Sequence, residues 1–116
     1  MAIQDLPIRW EGPDAVIGMP PEIDVTNADS VRLVLLAALN HRAPTLIIDL
    51  SGTTFCDSAG VHAIIAVHKQ AAAEGTQVRL VVTALLRIFT LAGVDQIIPT
   101  YPTLAEAVAA TAAELQ

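Results

Sequence analysis

Ser58 is the residue best placed for chemistry, because it stands in Phe55-Cys56-Asp57-Ser58-Ala59-Gly60-Val61, a polar turn between an apolar run and a helical pattern. Serine catalysis is disfavoured at once. A nucleophile elbow needs Gly two residues before the serine, where Cys56 stands. His62 lies four residues along the same helix, a poor position for a base aimed at a hydroxyl at the helix start. Cys56 is the single cysteine, so the chain can form neither an internal disulfide nor a cysteine-based metal cluster. As a nucleophile it would need an activating histidine beside it, which the order of residues does not supply. His62 and His68 are six apart, not the four that would put both on one helical face, so they do not read as a metal pair. No enzyme activity, metal or cofactor is therefore expected. Ser58 otherwise reads as a helix cap. As the N-cap of the following helix it would offer its hydroxyl at the surface while Val61, Ile64 and Ile65 anchor that helix in the core.

The elements that would hold this serine follow from patterning. Ile8 and Trp10 alternate with polar neighbours and Ala15 to Met19 is a short apolar run, which predicts an edge hairpin around Gly12-Pro13-Asp14. Pro20-Pro21 then stops regular pairing. Thr26 is the expected cap of a first helix from Asn27 to about His41, with Asp29 in its first turn and Val31, Val34, Leu35 and Ala38 facing inward. Leu33 and Leu36 fall partly off that stripe. Thr45 to Leu50 reads as a central strand buried on both faces. The helix from Ser58 places Val61, Ile64, Ile65, His68 and Ala72 on one side and ends at Gly75. Val78 to Val82 is a second buried strand, and strand, helix, strand in this order predicts a right-handed parallel crossover. Leu85, Ile88, Phe89 and Ala92 predict a third helix, Gln96-Ile97-Ile98 a short strand, and Thr103 to Glu106 the capping box of a terminal helix reaching about Leu115.

Composition narrows the function further. With 116 residues, 53% of them hydrophobic, one domain spanning 1–116 with a sizeable core is expected. The formal charge is −6 and the six basic residues are scattered, which argues against direct nucleic-acid binding. No run approaches the ~18 apolar residues of a membrane span, and the N-terminus shows no secretion signal, so the expected location is cytoplasmic. No Gly-rich phosphate loop is present.

The Asp57-Ser58-Ala59-Gly60 segment resembles the Asp-Ser-x-Gly signature of STAS domains, the family of sulfate transporters and anti-sigma factor antagonists. Glu22 to Ala28, Ile48-Asp49-Leu50 and Phe89 to Asp95 stand in matching places, and the similarity covers roughly residues 8 to 110. It implies an α/β STAS fold, a small mixed β-sheet of about five strands with about four helices mainly on one side. The resemblance further implies an anti-sigma factor antagonist. Unphosphorylated, it would capture a kinase-type anti-sigma factor and release a sigma factor. Phosphorylation at Ser58 by that anti-sigma factor serine kinase would end the capture, and a serine phosphatase would reset it. Carried onto this chain, the partner-binding surface would comprise Asp24, Thr26, Asn27, Asp57, Ser58, Ala59, Gly60 and His62, in a monomer or weak dimer. Three features depart from the family pattern. Ala59 removes a second hydroxyl beside the acceptor, Pro20-Pro21 replaces a common Gly, and His62 stands where an apolar residue is more usual. Other members of the fold offer alternatives: a docking subunit of a lipid-transport complex, or a stress-signalling scaffold.

Overall fold

A computed structural model of the protein describes residues 6–114. Strands β1 (Ile8–Glu11) and β2 (Asp14–Gly18) form the expected antiparallel hairpin. Next come β3 (Glu22–Ile23), α1 (Ala28–Ala38), a 3-10 turn at Leu39–His41, β4 (Thr45–Leu50) and β5 (Phe55–Cys56). The chain continues through α2 (Ser58–Ala73), β6 (Gln77–Val82), α3 (Leu86–Leu91), β7 (Thr100–Tyr101) and α4 (Leu104–Glu114). The main sheet runs β1-β2-β4-β6-β7, antiparallel only at the hairpin, with β4 in the centre as its apolar run requires. The α/β class, the five-stranded mixed sheet and the four helices agree with expectation.

Alternation along the strands divides the core in two. Ala15, Ile17, Leu46, Ile48, Leu50, Leu80 and Val82 face α1, α2 and α3, whereas Val16, Ile47 and Val81 face Ala107 of α4. The helices therefore lie mainly on one side. Arg79 is fully buried on the α4 side, where its guanidinium donates to the Thr111 hydroxyl and to Gln77 Oε1. At the far end of α2, Gly75 adopts φ +80 and lets the Thr76 N–H reach Ala71 O at 2.9 Å, so the helix stops where expected.

Several expectations are corrected. Thr26 does not cap α1; its hydroxyl donates to Asp24 Oδ1, and Asn27 occupies the cap position without a side-chain cap bond. The regular helix is accordingly shorter, and Leu39–His41 tightens into a 3-10 turn. Ser58 is not the cap of α2 either. Asp57 has extended backbone, and its carboxylate accepts from the Gly60 N–H at 3.1 Å, which makes Ser58 the first helical residue. Gln96 to Ile98 is no strand: Val94–Gln96 is a 3-10 turn, and the strand at this edge is Thr100–Tyr101. Ala72, Ile88 and Ala92, expected inward, are exposed, and His68 is half-buried. The Thr103 hydroxyl accepts from the Glu106 N–H as the capping pattern requires, while the expected helix end at Leu115 lies outside the described residues.

Candidate functional site

Ser58 is held by a small structure that stands apart from the main sheet. After Pro20-Pro21 the chain pairs in parallel with the segment before α2, Glu22 with Phe55 and Ile23 with Cys56. Proline has no N–H to give, yet its carbonyl still accepts: Pro20 O takes the Thr53 hydroxyl at 2.8 Å, and Pro21 O takes the Thr54 N–H at 2.8 Å. The two strands deliver the Asp24 turn and the Asp57 turn to the same surface.

Asp57 ties these turns together. Its Oδ1 caps α2 through Gly60, and its Oδ2 accepts from the Val25 N–H at 3.2 Å. Asp24 closes its own turn by accepting from the Thr26 hydroxyl and, at 2.9 Å, the Thr26 N–H. Those bonds, the hydroxyl's foremost, hold the Asp24 carboxyl below the usual carboxylate range, so the surface keeps a negative charge near neutral pH. Asn27 reaches back, its Oδ1 accepting from Asp24 N at 2.9 Å and its Nδ2 donating to Glu22 O at 2.9 Å. It shapes the turn from within.

Gly60 is buried under the turn, not displayed. A Cβ there would lie 2.5 Å from Cys56 Sγ and 2.8 Å from Ile23 Cγ2, so only glycine lets α2 start this close to the strand pair. Burial, reinforced by the Asp57 charge, pushes the Cys56 thiol up to about 11. Cys56 is thus a packed neutral thiol rather than a nucleophile.

Ser58 is exposed, and two grooves flank the start of α2. One, of about 360 Å³, is lined by Asp57, Ser58, His62 and Ile65 together with Ile88 and Ala92. The second, of about 440 Å³, lies between α1 and α2 and is lined by Val25, Asp29, Arg32, Ala59 and His62. Sequence reasoning missed Val25, 76% exposed at the crest of the Asp24 turn, as well as Arg32, Ile88 and Ala92. The signal for the last two is the brevity of α3, whose six residues bury only Phe89.

The STAS domain model matches residues 9–107 of this sequence. The chain belongs to the STAS domain family. Its fold is similar to that of an anti-sigma factor antagonist from Mycobacterium paratuberculosis, with 28% identity, a TM-score of 0.78, and 90% of this chain and 91% of that one covered. The fold also resembles a sulfate transporter family protein from Wolinella succinogenes, at 16% identity and a TM-score of 0.73, covering 84% and 83% of the two chains. A third likeness is to the Bacillus cell fate determinant SpoIIAA in its phosphorylated form, at 19% identity and a TM-score of 0.66, covering 91% and 98%. The last two are likenesses of fold. No curated protein matches the chain in sequence. Among the described residues no helix is long and apolar enough to cross a membrane. In this STAS domain the signature serine therefore opens α2, its aspartate joins two turns, and its glycine is a packing requirement.

Proposed function

We propose that this STAS domain is a partner switch of the anti-sigma factor antagonist type, with Ser58 as its phosphoacceptor. The unmodified domain binds a kinase-type anti-sigma factor and so frees a sigma factor. Asp24, Thr26, Asn27, Asp57, Ala59, Gly60 and His62 form or shape the docking surface around Ser58. The same kinase transfers the γ-phosphoryl of ATP to Ser58 Oγ, leaving ADP, and a serine phosphatase removes it. The reading places the switch in the cytoplasm as a monomer or weak dimer with no catalytic activity of its own.

One observation carries the proposal: the Ser58 hydroxyl is exposed at the first residue of a helix whose start is fixed by Asp57 and Gly60. A kinase can reach it, and the backbone beneath it has no freedom to hide it. A phosphate added beside anionic Asp24 presents a dianion to a surface that had accommodated a hydroxyl. Desolvating and repelling that charge need cost only about 2.8 kcal/mol to weaken binding a hundredfold.

The test is incubation with the anti-sigma kinases of the same cell and ATP, followed by mass spectrometry and binding assays. A single phosphate on Ser58 is expected. Ser58→Ala should keep the partner and Ser58→Asp should lose it by about a hundredfold. Absence of phosphate together with stable co-purification with a membrane transporter would replace the switch with a docking role.

A further inference from the structure

His62 stands one helical turn beyond Ser58. The two are four residues apart on α2, the spacing that puts side chains one above the other on a helix face. Both line the groove that also takes in Ile88 and Ala92. Among the described residues lining that groove, His62 alone can carry a positive charge. The groups around it are few. From α1, Asp29 and Arg32 face it across the second groove, but they are paired with each other at 3.6 Å. From the turn before α2 come Asp57, whose two oxygens accept from Gly60 and Val25, and the buried thiol of Cys56. The α3 wall, Ile88 and Ala92, is uncharged.

We infer that His62 is a phosphate-reading residue: a phosphate on Ser58 pairs with the imidazolium of His62, and the charge that the modified domain shows its partner therefore depends on pH. The inference rests on Ser58 being the phosphoacceptor proposed above. A serine phosphate loses its second proton near pH 6, and histidine is the side chain suited to change charge in the same pH window. An imidazolium one turn away favours the dianion, and the dianion favours the imidazolium, by the same free energy. Below that window the ring offsets one charge of the phosphate; above it the phosphate stands uncompensated. Repulsion of the partner is consequently strongest at neutral and alkaline pH and weakens as pH falls.

The pairing can be tested without any kinase, by installing phosphoserine at position 58 during translation and following its 31P signal with pH. With His62 present, the second ionisation should fall about 0.3 unit below that of His62→Gln, as expected for a helical pair of opposite charges. His62→Lys should keep the lowering, and high salt should diminish it. His68→Gln should titrate like the wild type. Identical titrations of the wild type and His62→Gln would overturn the inference, and so would an equal shift in His68→Gln, which would mark a general charge effect. Because the phosphate is introduced independently, either failure leaves the switch itself standing; that reading fails separately if a partner kinase never labels Ser58.

Discussion

Gly60 and Cys56 set how tightly the turn before α2 is built. The contacts a Cβ at position 60 would make with Cys56 Sγ and Ile23 are too close to absorb without displacing α2 or the strand pair. Gly60→Ala should therefore cost about 1 to 3 kcal/mol in urea unfolding. Adding Cys56→Ala should recover only part of the loss, since Ile23 still obstructs. Cys56 also makes the site sensitive to high pH. Its folded thiol is pushed up to about 11, so the fold prefers the neutral form. The associated stability is complete below the ordinary thiol range and is lost as pH climbs toward 11, where the buried thiolate must form. Wild type should lose more of its urea midpoint over that range than Cys56→Ala, and iodoacetamide should label native Cys56 far more slowly than the unfolded chain at pH 8.

At the scale of elements, legibility depended on length. Thr45 to Leu50 and Gln77 to Val82 are mostly apolar stretches, broken inside only by Asp49 and Arg79, long enough to be read as strands, and the hairpin and α2 carried their own turn and stop signals. The β3 and β5 pair was invisible because two residues have no period, and because its anchors are proline carbonyls that sequence rules read only as missing donors. Gln96 to Ile98 misled for the opposite reason: two adjacent isoleucines suggest a strand, yet only Ile98 is buried after the 3-10 turn. The cap of α2 was misplaced by one residue, since Asp57 and Ser58 are both good caps and only the extended backbone at Asp57 decides. The helix start at Ser58 was thus readable to within one residue, whereas the bond from Asp57 to the Val25 turn was not, because Val25 lies 32 positions away. Asp57→Ala should lose roughly 1 to 2 kcal/mol through the missing cap and raise amide exchange at both Gly60 and Val25. Asp57→Asn should fall between, because one of its two side-chain atoms would be a donor facing an N–H.

The molecule as a whole is a packed body with Ser58 exposed at the start of α2. Val61, Ile64, Val67 and Ala71 fix α2 to the sheet, and the opposite face is closed by α4 over Ile47, Val81 and the buried Arg79. This body is closely packed, and Ser58 is exposed at its surface. A phosphate at the first residue of α2 meets the positive end of the helix dipole, worth about 0.3 to 1 kcal/mol in favour of the native state. Modification should therefore leave the fold as stable as before or slightly more so, and in the proposed switch the free energy of release would have to appear in the complex. Amide spectra of the phosphorylated domain should coincide with those of the unmodified one in β4, β6 and α4, with shifts confined to the Asp24 turn and the first turns of α2. Shifts spread through the sheet would mean that release works by a change of shape, and the electrostatic account would then fail.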